Sequence, residues 1–376
     1  MRRWLITLGL LVGLLALLAC AAEEKATPAP VGPTAAAKPA WEEEWQRVLA
    51  AAKQEGTVAI LGVAGTERRD ALTEGFEKKY GIKVEYLGGR GPEFSERLRT
   101  ERGAGQYLWD INIGGLTHWL PYLNQGWFDP IGPALIQPEV KEGKHWWGGG
   151  PLWLDGDRRF LAMFLSTSNP IFINTKLVKP EEIKSFKDLL DPKWKGKLLS
   201  DDPRIAGASL SQYTFFYLHP NLGPDFIRAL AKQEITVTRD RQQQLEWLAQ
   251  GKYPILVGGS RGTAVPLIRE GLPIMNMDPR GIKEGASLAV GSGHLFLISR
   301  APHPNAAKVY INWVLSKEAQ TEFARADGSA SLRLDVPTDH LDPWEVPQEG
   351  YIKQYGPKAE EVREVARKLT EEVFGR

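Results

Sequence analysis

Short apolar runs that end in glycine alternate along the chain with longer segments in which apolar residues recur every three or four positions. The first pattern is typical of buried strands and the second of amphipathic helices. The first part of the chain predicts helices at 41–54, 67–80, 93–102 and 117–124, strands at 57–62, 82–87 and 109–113, and a loop at 88–92. Strand–helix units in succession indicate a mainly parallel, doubly wound sheet.

The second part of the chain repeats this alternation with different loops. It predicts strands at 196–200 and 253–257 and helices at 207–217, 224–232, 242–250 and 263–270. Two extended segments, 162–173 and 286–298, are placed to cross between the two blocks. We therefore expect an α/β protein with two doubly wound lobes joined by a hinge, lobe 1 formed by 41–165 plus 290–330 and lobe 2 by 166–289 plus 331–376.

The N-terminus has the pattern of an export signal. Arg2 and Arg3 precede an apolar run, 8–19, that is too short to span a bilayer comfortably. The run closes on Leu-Leu-Ala-Cys at 17–20, which resembles the bacterial lipoprotein signal, so we predict a signal peptide at 1–19 and lipid attachment at Cys20. An ordinary secretion signal with an incidental cysteine, or an N-terminal membrane anchor, is the alternative.

The segment that follows is predicted to be a disordered tether. Residues 20–40 are rich in Ala, Pro, Thr and Glu and have no apolar periodicity to bury. Cys20 is the single cysteine of the chain, so no internal disulfide can form. We expect an exported protein that is lipid-anchored on the periplasmic or extracytoplasmic face of a membrane.

Composition and motifs exclude several classes of function. The net charge of +1 supplies no basic field for nucleic acid. The sequence contains no GxSxG elbow, P-loop, HExxH or closely spaced Cys/His set, so nothing in it indicates an enzyme.

Glycine-bearing loops at predicted strand ends form the candidate ligand site. Backbone N–H groups and the helix dipole at such places favour an anion, and the planar arginine fork suits carboxylate or phosphoryl oxygens. The candidate residues are Gly65, Thr66, Glu67, Arg68, Arg90, Gly114 and Gly115 in lobe 1, and Arg204, Ser209, Gly259, Ser260 and Arg261 in lobe 2. The alternative is that the arginines are ordinary surface or ion-pair partners and the glycines only turn the chain.

Four segments together, in their order and spacing, carry a family resemblance. They are 45–56, the Phe-Ile-Asn-Thr-Lys-Leu-Val run at 172–178, 185–197 around Asp191-Pro192, and 301–308 followed by 313–320. On the basis of these segments, the chain resembles bacterial extracellular solute-binding proteins of the ferric-iron-transport type, which belong to the type II periplasmic-binding group. The resemblance implies a monomeric binding protein, without a cofactor, that delivers a small-molecule ligand to an ABC permease and ATPase complex in the membrane.

The sequence departs from the iron-binding branch at its metal site. That branch coordinates iron with neighbouring tyrosines just after the strand that corresponds to 253–257, where this chain has Gly259, Ser260 and Arg261. Tyr213 and Tyr217 could substitute, but among phenylalanines they are more simply explained by packing. We therefore predict a small anionic solute and no metal, with ferric iron or an iron chelate as the alternative cargo and a ligand-sensing lipoprotein as the alternative role.

Overall fold

Helices α1 and α2 show how local sequence sets the elements. In α1, Trp45, Val48 and Ala52 are buried at helical spacing, and Gly56 ends the helix in the left-handed conformation at φ 73°. The structure, a computed structural model, describes residues 39–169, 171–205, 207–290, 293–356 and 358–375. The predicted signal peptide, Cys20 and the predicted tether as far as residue 38 lie outside the described residues.

The described residues contain α1 (Ala40–Glu55), α2 (Thr66–Tyr80), α3 (Gly91–Gly103), α4 (Pro138–Lys141), α5 (Ala208–Leu218), α6 (Gly223–Ala231), α7 (Arg241–Ala249), α8 (Arg261–Arg269), α9 (Pro304–Val314), α10 (Lys317–Asp327) and α11 (Ala359–Phe374). The helix predicted at 117–124 is instead a 3₁₀ helix, Thr117–Gln125, with Pro121 inside it. Proline has no N–H to donate within an α-helix. No described helix combines the length and the apolar character needed to cross a membrane.

The strands are β1 (Thr57–Val63), β2 (Lys83–Gly89), β3 (Ile111–Gly114), β4 (Phe128–Asp129), β5 (Leu152–Trp153), β6 (Phe160–Ala162), β7 (Phe164–Ser168), β8 (Ile171–Asn174), β9 (Leu198–Asp201), β10 (Thr236–Thr238), β11 (Ile255–Val257), β12 (Ile274–Asn276), β13 (Ser287–Ala289), β14 (His294–Ile298), β15 (Ala330–Ser331) and β16 (Ile352–Lys353). The loop predicted at 88–92 is shorter than expected, because β2 continues to Gly89 and α3 begins at Gly91.

The largest sheet has seven strands in the order β2-β1-β3-β14-β6-β5, with β4 paired to β14. Strands β2, β1 and β3 are parallel, whereas β14 is antiparallel to β3. The sheet is therefore mixed rather than mainly parallel, because β14 returns to it from the opposite direction. Both faces are covered, since Ile60 belongs to one core cluster and the next residue, Leu61, to another.

A second sheet has five strands in the order β10-β9-β11-β8-β12. Strands β10, β9 and β11 are parallel, and β8 is antiparallel to both of its neighbours. Ile255 and Val257 face one core while Leu256 faces the other, so helices cover this sheet on both sides as well. The α/β fold class is confirmed.

A small third sheet, β15-β7-β13-β16, contains part of each predicted crossing segment, because β7 and β13 pair antiparallel within it. The same segments continue into β8 of the five-stranded sheet and β14 of the seven-stranded sheet. The two larger sheets lie on either side of the predicted lobe boundary, and the division into two lobes stays a prediction. The C-terminal part contacts both sides: α11 packs on α5 and α6, whereas Leu332 and Val336 belong to a core of the seven-stranded sheet.

Candidate ligand-binding site

A cavity of about 240 Å³ lies beside the polar end of β7. Its wall on that side is formed by residues 165–169, and Phe172 of β8 lies next to them. The starts of α5 and α8 contribute Ala208 and the residues 259–261. We call this space the Arg261 cavity, after the only arginine among its lining residues in the described chain.

The opposite wall of the Arg261 cavity comes from a different part of the chain. Residues 328–330, which connect α10 to β15, lie on one side, and Leu341, Trp344 and Glu345 complete the wall. The cavity is therefore bounded by β7 and β15 of the small sheet, by β8 and the helix starts beside the five-stranded sheet, and by the turn after α10, a helix that packs on α2.

Two glycines allow the turn between β11 and α8 to lie against its neighbours. Gly258 has φ 75°, and a Cβ there would lie 2.6 Å from the Ser209 Oγ. A Cβ on Gly259 would lie 2.8 Å from side-chain carbons of Leu256 and Phe172. Only a residue without a side chain fits such contacts, and the left-handed φ of Gly258 also favours glycine.

Ser209 fixes the start of α5 to the same place. It is buried, and its Oγ donates a hydrogen bond of 2.8 Å to the Asp201 carbonyl at the end of β9. The starts of α5 and α8 therefore meet at one edge of the five-stranded sheet. Within the described residues neither helix has a side-chain cap, so their N-terminal partial charges favour an anion in the cavity.

The charged groups of the cavity are paired with each other. Arg261 Nη2 lies 2.8 Å from Glu345 Oε2 and 3.7 Å from Asp342 Oδ2, and its guanidinium lies 5.9 Å from the centre of the Trp344 ring. Burial raises the pKa of Glu345, and the charge of Arg261 offsets part of that rise. The ion pair therefore lies in a partly desolvated environment.

Buried polar atoms of the β7 wall lack partners. Asn169 is 2% exposed, and its Nδ2 donates to the Met277 carbonyl at 3.0 Å. Neither its Oδ1 nor the Thr167 Oγ1 has a hydrogen-bond partner among the described residues. Such atoms are costly in a folded protein unless a water or a ligand satisfies them.

The predicted loop after β1 does not line the cavity in the described structure. Residues 65–67 are exposed, and the Arg68 Nε donates to Asp327 Oδ1 at 2.9 Å. The other oxygen of Asp327 accepts from the Ser329 Oγ at 2.7 Å. Arg68 is thus connected to the cavity indirectly, through Asp327 and the lining residue Ser329.

The other two predicted loops of the seven-stranded sheet are also satisfied locally. The Arg90 side chain is 82% exposed and pairs with Glu93, which caps α3. Gly114 is buried in β3, its carbonyl lies 3.0 Å from the Nδ1 of His294, and Gly115 is half-buried beside it. Burial lowers the pKa of His294 to about 4, so that ring is neutral near pH 7 and supplies no charge for an anion.

Arg204 does not line the cavity and is held by acceptors within the protein. Its Nε and Nη2 donate to the two oxygens of Asp202 at 2.8 and 2.9 Å, and its Nη1 donates to the Phe374 carbonyl at 3.0 Å. Hydrogen bonds from Arg204 lower the pKa of Asp202 to about 2. This geometry makes Arg204 a link between the end of β9 and α11, and its predicted ligand contact stays a prediction.

Tyr213 packs in the core instead of facing a cavity. It is fully buried, its ring packs edge-on against Phe216 and Phe374, and its hydroxyl lies 3.5 Å from Ser200 Oγ. Burial raises its pKa, which disfavours the phenolate that Fe(III) requires. No group of three or more His, Cys, Asp or Glu in the described part of the chain is arranged to hold a metal ion.

Several cavity residues were not predicted from the sequence. The β7 wall had a detectable signal, because the polar run Ser166-Thr167-Ser168-Asn169 interrupts an otherwise apolar segment. No sequence signal marks the other unpredicted residues, which come from distant parts of the chain and join the cavity only through tertiary packing. They are Asn276, Ser329, Trp344 and Glu345.

Comparison with known proteins relates the chain to binding proteins. The model of a family described as bacterial extracellular solute-binding protein matches residues 59–321. Iron uptake protein A1 of Synechocystis sp. is 23% identical over 278 residues, which cover 70% of this chain and 72% of that protein.

Two solved structures share the fold. The Trichodesmium protein IdiA (FutA), in complex with iron and citrate ligands, matches with a TM-score of 0.63 at 18% identity over 85% of this chain and 99% of that chain. The periplasmic binding protein AfuA from Actinobacillus pleuropneumoniae, with fructose-6-phosphate bound, matches with a TM-score of 0.58 at 17% identity, again over 85% and 99% of the two chains.

Proposed function

The chain belongs to the bacterial extracellular solute-binding protein family, and from that premise we propose that it is the solute-binding component of an ABC importer. It captures a small anionic solute in the Arg261 cavity and delivers it to a membrane permease. The single observation that carries the choice of cavity is the position of Arg261. Its guanidinium lines a cavity where two helix N-termini meet.

The electrostatics of the cavity support an anionic group on the solute. An arginine fork binds carboxylate or phosphoryl oxygens in two parallel hydrogen bonds, and partial positive charge at the starts of α5 and α8 adds to it. At about 240 Å³ the cavity is smaller than the roughly 300–1,000 Å³ typical of pockets for drug-sized ligands. The solute is accordingly a small molecule.

The remaining parts of the proposal concern location and movement. Export by the signal peptide and lipid attachment at Cys20 keep the protein near its permease. The two sheets act as lobes that close on the solute, with β7 and β13 as the crossing strands of the hinge. Ligand that binds the closed form stabilises the folded protein by linkage.

An iron–carboxylate chelate is a second candidate cargo. The relatives favour it, since one is named an iron uptake protein and another was solved with iron and citrate. In this chain Arg261 would contact the carboxylates of such a chelate, without a protein ligand to the metal.

Calorimetric titration of the purified full chain tests the proposal. The solutes are succinate, citrate, phosphate, glucose 6-phosphate, methanesulfonate and Fe(III)–citrate, with glucose as the neutral comparison. We expect binding of at least one anion, and a loss of about 10- to 100-fold in its affinity in Arg261→Ala, the effect of losing a charged hydrogen bond.

Arg90→Ala is the matched control, because Arg90 was predicted from the same pattern but is exposed outside the cavity. It should bind the same anion with unchanged affinity. Equal affinities of the wild type and Arg261→Ala would exclude the Arg261 cavity as the site. Binding of Fe(III)–citrate but not of citrate would identify the chelate as cargo.

A further inference from the structure

The ion pair inside the Arg261 cavity limits which anions can bind there. Arg261 and Glu345 are the only ionisable residues that line the cavity in the described chain, and their nearest oxygen and nitrogen are 2.8 Å apart. The cation that a solute would contact therefore already has a carboxylate partner. The formal charges of these two side chains cancel.

Glu345 has few other partners for its charge. Its side chain is only 10% exposed, and the backbone N–H of Asp342 donates to its Oε2 at 2.9 Å. The buried Trp344 precedes it in the wall. A simple anion that displaced Glu345 from Arg261 would leave this carboxylate without its cation, which weakens the binding of such an anion.

The β7 wall also contains polar atoms without a partner. Asn169 and Thr167 line the cavity and contribute buried oxygens without a partner among the described residues. When the Asn276 amide is oriented to satisfy its hydrogen bonds, its nitrogen donates to the carbonyls of Asn169 and Ile171 at 2.8 and 3.1 Å. That donor is then used within the protein, and the Asn169 Oδ1 stays without a partner among the described residues.

A solute that carries a positive and a negative group can pair with both Glu345 and Arg261. Placed between Arg261 and Glu345, it replaces one ion pair by two and leaves no buried charge unpaired. The cavity of about 240 Å³ has room for a small molecule with both groups.

We propose that the Arg261 cavity selects a small zwitterion, an ammonium carboxylate of the amino-acid type. Its carboxylate contacts Arg261 and the starts of α5 and α8, and its ammonium group contacts Glu345. This inference rests on the proposed function, because it specifies the solute whose anionic group Arg261 binds.

Matched pairs of solutes test the inference on the purified full chain. Glycine, L-alanine, L-serine and L-glutamate are titrated beside acetate, propionate, 3-hydroxypropionate and glutarate, which lack the ammonium group. We expect at least one amino acid to bind more than tenfold more tightly than its partner. In Glu345→Gln the affinity for that amino acid should fall at least tenfold, while the affinity for its partner should stay the same or rise.

Glu93→Gln is the control variant, since Glu93 is an exposed carboxylate outside the cavity. It should bind both members of each pair like the wild type. Thermal melts check that Glu345→Gln remains folded, and glutamine keeps an oxygen that can accept from the Asp342 N–H.

The outcomes separate the inference from the function on which it rests. Binding of a carboxylate as tight as that of its amino acid, or no loss in Glu345→Gln, would overturn the zwitterion while leaving the anion site intact. The zwitterion would also be overturned if the protein binds anions through Arg261 but binds none of the amino acids. Absence of binding by every amino acid and every anion would overturn both.

Discussion

The strand-end loops of the two large sheets carry similar residues but differ in what they do. Around the seven-stranded sheet, Arg68 and Arg90 are held by Asp327 and Glu93, and neither lines the cavity in the described structure. At the edge of the five-stranded sheet, the starts of α5 and α8 meet and place Arg261 in the wall of a cavity.

The difference lies in the tertiary neighbours. Arg204 also follows a strand of the five-stranded sheet, yet Asp202 and the Phe374 carbonyl occupy its donors. Arg261 has a carboxylate partner too, but its partner lies within a cavity that a solute can enter. A glycine–arginine loop at a strand end is therefore only a candidate anion site until its partners are known.

The largest expected effect comes from the glycine that allows α5 and α8 to meet. Gly258→Ala adds a Cβ 2.6 Å from the Ser209 Oγ and 2.8 Å from its Cα, on a backbone at φ 75°. We expect a loss of about 2–5 kcal/mol in the free energy of unfolding, from crowding and left-handed strain together. Urea unfolding followed by circular dichroism measures it.

Gly81→Ala is the control from the seven-stranded side, because Gly81 has φ 69° and nothing within 4 Å of the added Cβ. It should lose only about 1–2 kcal/mol, the strain alone. Equal losses in the two variants would show that close packing at Gly258 is unimportant.

Arg204→Ala should come next in size and should affect stability without affecting ligand binding. It removes two hydrogen bonds to Asp202, which is 1% exposed, and one to α11. We expect a loss of roughly 1.5–3 kcal/mol, typical of hydrogen bonds to a charged group. If the variant instead binds an anion tenfold more weakly than the wild type does, Arg204 belongs to the binding site.

Asp202 should make the stability depend on acid pH. Its pKa is about 2 in the folded protein and 3.8 in a model compound, so the folded state binds fewer protons between these values. The stabilisation is present above about pH 4 and is lost as pH falls towards 2. The difference in unfolding free energy between the wild type and Asp202→Asn should therefore shrink by about 2 kcal/mol over that range.

Urea unfolding at several pH values measures this difference, and the other carboxyl groups cancel because both proteins contain them. A difference that stays constant from about pH 5 to 2 would contradict the assigned role of Asp202.

The smallest effect is expected from Arg68→Ala. The Arg68 side chain is 38% exposed, and Asp327 keeps the Ser329 hydroxyl as a donor. We expect less than about 1 kcal/mol in unfolding free energy and no measurable change in ligand affinity. A loss of affinity similar to that of Arg261→Ala would show that the loops of both sheets contact the ligand.

Much of the fold could be predicted from the sequence because its signals are local. Glycines after apolar strands, and helical spacing such as that of Trp45, Val48 and Ala52 in α1, are local patterns. These patterns predict most elements close to their observed bounds. The errors have local causes as well: Pro121 accompanies a 3₁₀ segment, and the antiparallel strand β14 reflects the return of a distant segment.

The candidate site was predictable only in part, since it depends on pairs of residues far apart in the chain. The pattern of their own loop was enough to identify Gly259, Ser260 and Arg261 as site residues. The polar run of β7 could have been identified in the same way. Glu345 could not, because nothing in its neighbourhood indicates that it meets a residue 84 positions earlier.

By itself, then, the sequence determined the α/β class, most element positions and the family, because periodicity, glycines and motifs act through neighbours along the chain. Tertiary structure alone decided which arginine lines a cavity and which carboxylate pairs with it. The physical reason is that a guanidinium binds a ligand or an internal acceptor according to what folding brings within hydrogen-bonding distance.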